Sequence, residues 1–263
     1  MKIIYYNIKK GDKMSKINIK NLNYKRKNSV IFKKFNLKID DNSYNAIIGP
    51  VGSGKTILFK LIINNYEGIK VDGNVNYVVT DPNMQIVSKT VKEQLSFFLE
   101  RDGYTKRQIT MRLKNIIKTF ELDKILDKDP FLLSEGEKQL VVLSSILVLD
   151  LDILLLDNAL CRLDKYTKNK VLKYLLKLKK KKVTIINFTS DIEEIMDVDN
   201  VILINKKLIF NKKLKEALKE EKLFNENDQN LPFVSDVSLK LHYYGLLNGQ
   251  FMDIKEMVDE LWK

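Results

Sequence analysis

The sequence is poor in cysteine, histidine, proline and arginine, and each scarcity removes a class of protein. One cysteine, Cys161, cannot close an intrachain disulfide, so a disulfide-stapled scaffold is excluded and a reducing cytoplasm is the expected compartment. One histidine, His242, stands in the tail without a cluster of metal-ligating neighbours and reads as a surface or packing residue. Ten glycines and four prolines among 263 residues, with 44% hydrophobic residues, rule out collagen and disorder. No segment offers the roughly 20 nearly uncharged residues of a spanning helix. The most apolar stretch, Leu140 to Leu156, is interrupted by Ser144, Ser145, Asp150 and Asp152, so any membrane role is expected to be peripheral. The net charge is 46 − 34 = +12, yet arginine occurs only as Arg26, Arg101, Arg107, Arg112 and Arg162. Nucleic-acid readers favour arginine. A solvated lysine surface facing an anionic leaflet or partner is therefore expected rather than dedicated nucleic-acid binding.

The length suits one large or two modest domains. Residues 1–14 read as an extension, with Met14-Ser15 as a second plausible start. Apolar alternation at Ile17 and Ile19, then at Phe35, Leu37 and Ile39, predicts an opening antiparallel sheet. A strand over Tyr44–Ile48 runs into a glycine loop and then a helical pattern at Ile57, Leu58, Leu61 and Ile62. The middle is helical, with capping boxes at Thr90/Glu93 and Thr105/Gln108. Short β-branched and leucine runs return at 153–156, 183–188 and 201–204, as in parallel strands covered on both faces. The expected fold is α/β: a mostly parallel sheet over 15–214 with an inserted helical subdomain at about 84–150, then a helical extension over 215–263. The last helix is expected to start at an Asp253 N-cap, with Ile254, Met257, Val258, Leu261 and Trp262 on one stripe that would bury against either its own domain or a partner subunit.

Gly49-Pro50-Val51-Gly52-Ser53-Gly54-Lys55-Thr56 matches G-x-x-x-x-G-K-[ST] between a predicted strand and helix. Glycines let backbone N–H groups turn around phosphate oxygens, Lys55 reaches the terminal phosphates and the Thr56 hydroxyl ligates Mg²⁺. A bare glycine turn would not require the lysine and threonine. Asp157, ending the 153–156 run, is the matching Walker B acid for Mg²⁺.

Leu133-Ser134-Glu135-Gly136-Glu137, about 20 residues before Asp157, stands where ABC-type ATPases carry L-S-G-G-Q, and Leu163-Asp164 fits their D-loop. Asp81-Pro-Asn-Met-Gln85 before Thr90-Val91, Leu231-Pro-Phe-Val234 and the closing Asp259-Glu-Leu-Trp262 resemble the ATPase subunits of energy-coupling factor (ECF) transporters. The resemblance implies an ABC-type P-loop core that binds ATP and Mg²⁺. It also implies pairing with a second such ATPase, a transmembrane coupling protein carrying a substrate-binding membrane subunit, and a place on the cytoplasmic face of the membrane. The segment from Gln85 to Phe120 would receive the coupling helices, and the last helix would serve ATPase–ATPase contact, with Trp262 as anchor.

Departures from that pattern carry information. The catalytic glutamate after the Walker B acid is Asn158, which cannot serve as a carboxylate base. The switch histidine is Ser190, which also reads as an N-cap with Glu193 as its partner. The Q-loop glutamine is Thr80, and Gln85 is a different position. The adenine-stacking aromatic falls at Arg26, with Tyr24 on the same strand face; either could cover the base, and an ordinary exposed strand pair fits as well. Ser134 and Gly136 keep the groups that the family uses on a γ-phosphate across the dimer, while Glu135 and Glu137 replace the first glycine and the glutamine.

Three readings follow: a motor subunit of an ECF-type importer for vitamins or metal ions, impaired in its own hydrolytic site and paired in a heterodimer rather than a homodimer; a non-hydrolysing structural or regulatory nucleotide-binding subunit; and a soluble ABC-type ATPase acting on nucleic acid, which the tail and the scarce arginine disfavour.

Overall fold

A computed structural model describes residues 16–262; the N-terminal extension and its second start lie outside the described residues. Strands β1 (Lys16–Arg26) and β2 (Ser29–Ile39) form the expected antiparallel pair, which β4 (Ile69–Asp72) completes on the other side of β1. Between them run β3 (Tyr44–Ile48) and α1 (Lys55–Ile63). A second sheet joins β3 to β5 (Val75–Val78), β6 (Ile153–Asp157), β7 (Thr184–Phe188), β8 (Asn200–Ile204) and β9 (Leu208–Lys213) in the order β5-β6-β7-β3-β8-β9. All its pairings are parallel except β8 with β9.

The β6 and β7 runs are buried along their whole length because both sheet faces are covered. Alternate residues serve different cores. Ile47, Ile153, Leu155, Ile186, Phe188, Ile202 and Ile204 pack with α1 and the antiparallel sheet. Ala46, Ile48, Leu154, Leu156, Ile185, Val201 and Leu203 face the helical side.

That helical side holds α2 (Val91–Arg101), α3 (Lys106–Phe120), α4 (Glu135–Leu147) and α5 (Lys165–Lys180). Capping boxes open α2 and α3 at Thr90/Glu93 and Thr105/Gln108, as their spacing predicted. The expected helical extension consists of α6 (Leu214–Ala217), α7 (Glu221–Glu226), α8 (Phe233–Tyr243) and α9 (Ile254–Leu261). Phe224, fully buried, anchors the tail against Phe210 of β9. Asp253 caps α9 through the Lys255 and Glu256 amides. Of its apolar stripe only Met257 is buried; Ile254, Val258, Leu261 and Trp262 remain exposed.

One glycine ties the loop after β3 to the sheet. Gly49 has φ +153°, and a Cβ there would lie 2.1 Å from the Ile204 carbonyl oxygen. Because that oxygen belongs to strand backbone, Gly49→Ala is expected to destabilise the protein by about 3 kcal/mol in denaturant unfolding. An unchanged unfolding midpoint would contradict this packing.

Candidate nucleotide site

Parallel strands gather their carboxyl ends along one edge of a sheet, and ligands of such folds bind there. The register sets Ile47 and Asp157 both beside Phe188, and Val78 beside Leu156. The glycine loop, Asp157-Asn158, Thr80 and Ser190 thereby converge although more than 140 residues separate the first from the last.

The glycine loop has the features of a phosphate cradle. Gly52 and Gly54 have φ of +82° and +103°, the left-handed region that glycine tolerates best. Helix α1 starts with no side chain bonded to its first-turn amides, whereas α2, α3, α4, α5 and α9 all have side-chain caps. Uncapped N–H groups and the positive end of the helix dipole favour an anion. The buried Ser53 hydroxyl also has no partner. Lys55 curls over the loop, with Nζ donating to the carbonyls of Gly49 at 2.5 Å and Pro50 at 3.2 Å. Burial pulls its pKa below the usual lysine range, and the Asp157 carboxylate opposes that shift. Thr56 Oγ1 donates to Asp157 Oδ1 at 3.2 Å, so a hydroxyl and a buried carboxylate stand together, as a Mg²⁺ site needs. Burial raises the Asp157 pKa, with Thr56, Lys60 and Lys55 acting against it. These groups fit ATP and Mg²⁺.

Asn158, Ser190 and Thr80 are held by hydrogen bonds to one another's strands. Asn158 has φ +47°, a conformation that asparagine tolerates better than most residues, and its Oδ1 accepts the Ser190 N–H at 3.0 Å. The Asn158 N–H bonds the Phe188 carbonyl at 2.8 Å, so β6 and β7 are stitched past their ends. Ser190 does not cap the following turn. Asp191 does, accepting the Glu193 amide at 3.0 Å, because its shorter reach to the second amide suits a tight 3-10 turn better than the spacing expected for Ser190. Asp191 is in turn fixed by Lys168 of α5, which also pairs with buried Glu194. Thr80 Oγ1 donates to the Asp157 main-chain carbonyl at 2.8 Å. Gln85 bonds the backbone of Val79 and Tyr77, a structural role apart from the phosphate loop.

At the signature, Ser134 caps α4 and forms a capping box with Glu137. Glu135 is paired with Arg162 at 2.7 Å and Lys138 at 3.1 Å. Gly136 leaves room for the Arg162 carbonyl, which a Cβ would approach to 3.0 Å. Asp164 caps α5 through the amides of Tyr166 and Thr167, and the Thr167 hydroxyl bond helps hold its pKa down.

The ABC transporter family profile matches residues 32–161. The chain is 30% identical over 272 residues to the energy-coupling factor transporter ATP-binding protein EcfA1 of Ligilactobacillus salivarius, covering 93% of this chain and 95% of that one. It is 29% identical over 266 residues to the EcfA1 of Leuconostoc mesenteroides, covering 93% and 97%. The chain belongs to the ECF transporter ATP-binding proteins. In structure it resembles cbiO1 of Clostridium perfringens, described as part of the ABC transporter complex cbiONQ, with TM-score 0.69 and 24% identity over 89% of this chain and 98% of that one.

In this ECF ATP-binding protein, Tyr24 and Arg26 line one groove of about 510 Å³ with Thr56, Ile57, Lys60 and Tyr66. Tyr24 packs edge-to-face on Tyr66 at 5.5 Å, a partner that the sequence reading missed. Arg162 was missed as well: its Nε donates to the Thr80 carbonyl at 3.0 Å while its guanidinium holds Glu135. An isolated arginine two residues before the D-loop Asp164 was the available signal. Glu193, expected as the partner of a Ser190 cap, instead accepts the Phe233 N–H at 2.7 Å and so caps the tail helix α8 from the turn after Ser190.

Proposed function

We propose that this chain is the ATP-binding motor subunit of an ECF-type importer for vitamins or metal ions, with an impaired hydrolytic site of its own. The observation that carries the reading is the uncapped α1 terminus beneath the 49–56 loop, beside the Thr56–Asp157 pair. Gly49 to Thr56 would hold the phosphates, Thr56 and Asp157 the Mg²⁺, and Tyr24 or Arg26 the base. Bound MgATP supplies a phosphoanhydride whose cleavage can drive opening of a closed ATPase pair. Asn158 and Ser190 hold β6 and β7 together and offer neither a carboxylate base nor an imidazole.

The partners are a second ECF-type ATPase in a heterodimer, a transmembrane coupling protein and a substrate-binding membrane subunit, and the chain works peripherally on the cytoplasmic face. Among the described residues no helix is long and apolar enough to cross a membrane. Exposed Val87, Phe97 and Met111 give the Gln85 to Phe120 segment apolar surface for the coupling protein. Three arginines are tied within the chain, Arg101 to Asp102, Arg112 to Asp150 and Arg162 to Glu135, which leaves little of the planar phosphate recognition that nucleic acid favours. Affinity purification from membranes through this chain should retain a transmembrane protein and a second ATPase. Recovery with nucleic acid alone would sink the assignment.

The 215–263 extension is assigned to ATPase–ATPase contact, through the open stripe of α9. Trp262→Ser is expected to weaken pairing by about 30-fold, the scale of an aromatic hot spot. Equal dissociation of mutant and wild-type pairs in sedimentation equilibrium would reassign that helix. The non-hydrolysing regulatory reading draws on Asn158 and Ser190, and transporter turnover with Lys55 mutated separates the two: full turnover favours a purely structural subunit.

A further inference from the structure

We propose that Glu137 gates the signature end of this chain: its carboxylate holds the Ser134 hydroxyl that a partner ATPase's nucleotide would need, and has to leave before a γ-phosphate can be received. The inference rests on the ABC-type pairing proposed above. Ser134 Oγ donates to Glu137 Oε2 at 2.8 Å, the Ser134 N–H donates to the same oxygen at 2.9 Å, and Oγ accepts the Glu137 N–H at 3.3 Å. A serine hydroxyl has one proton. While it points to Glu137 it is not available to a phosphate oxygen.

Charge reinforces the competition. The two carboxylates that replace family residues here differ in their surroundings. Glu135 is neutralised by Arg162 and Lys138. Glu137 has no basic side chain within ion-pair distance among the described residues, although Lys128 acts on it from farther away. The Ser134 bonds hold its pKa below the usual glutamate range, so it is anionic at neutral pH. An anion therefore already sits at the α4 N-terminus, where a second would be repelled and the helix dipole is partly satisfied.

The first turn of α4 has little freedom to move instead. The Arg162–Glu135 pair fixes it to the segment before the D-loop, and the Gly136 Cα abuts the Arg162 carbonyl closely enough that a Cβ would be at 3.0 Å. Rotation of the Glu137 side chain is the remaining way to free Ser134. Pairing driven by ATP must then overcome one helix-capping contact, and the price appears as a higher nucleotide concentration.

The test is sedimentation velocity of the purified full chain mixed with the second ATPase recovered with it, across a MgATP titration, where nucleotide on the partner's loop would face this chain's Ser134. Glu137→Gln removes the charge yet remains a capping-box residue, so the helix start survives. The variant is expected to pair at about tenfold lower MgATP than wild type, the scale of a charge-assisted hydrogen bond exchanged for a neutral one together with the loss of the repelling charge. Ser134→Ala added to Glu137→Gln should abolish the gain, which a merely stabilising role of residue 137 would not require. Superimposable wild-type and Glu137→Gln titrations, or no pairing by either, overturn the gate. Calorimetry on the same proteins separates the causes: if they bind MgATP, the gate alone fails, and if none binds it, the phosphate-loop reading fails and the gate with it.

Discussion

Lys55→Ala is expected to lower MgATP affinity about a hundredfold in titration calorimetry. The Nζ group already lies within the loop, bonded to the Gly49 and Pro50 carbonyls, so the charge is in place before nucleotide arrives. Charge-assisted bonds to phosphate contribute about 1.5–3 kcal/mol each, and 2.8 kcal/mol corresponds to a hundredfold. The mutation also leaves Lys60 as the remaining cation acting on buried Asp157, so Mg²⁺ dependence should change with it. Thermal unfolding would establish that the mutant is folded. Equal affinity in a folded mutant would show that the 49–56 loop is not the nucleotide site.

The second large effect concerns hydrolysis. The purified chain alone should turn over ATP about 10² to 10⁴-fold more slowly than an ATPase with an intact general base. In a heterodimer, the partner's P-loop and glutamate with this chain's Ser134 and Gly136 would form the active composite site, and the other would hold ATP as a clamp. Asn158→Glu with Ser190→His should restore single-turnover hydrolysis by much of that factor, at a cost. Glutamate is less suited than asparagine to φ +47°, and the bond from the Ser190 amide to Asn158 Oδ1 is lost. Together these should lower stability by about 2 kcal/mol. A wild-type chain that hydrolyses ATP alone at full speed, unaffected by Asn158→Ala, would place the chemistry on other residues.

What the sequence determined by itself is what depends on near neighbours in the chain. The 49–56 loop, the Thr90, Thr105 and Ser134 capping boxes and the two-sided burial of the central strands are set by spacings of two to eight residues. Periodicity and hydrogen-bond reach fix such features before any distant segment arrives. The tertiary structure decided how the degenerate positions are used. Asn158 meets Ser190 across 32 residues, Arg162 joins Thr80 to Glu135 across 82 and 27, and Glu193 caps α8 across 40. Those contacts follow from the parallel register, which brings strand ends together in an order the chain does not follow. The cap at Asp191 is of the same kind: local spacing permitted Ser190 as the cap, and only the packing of the turn made the choice; the packing of the tail likewise buries Met257 and leaves the rest of the α9 stripe open.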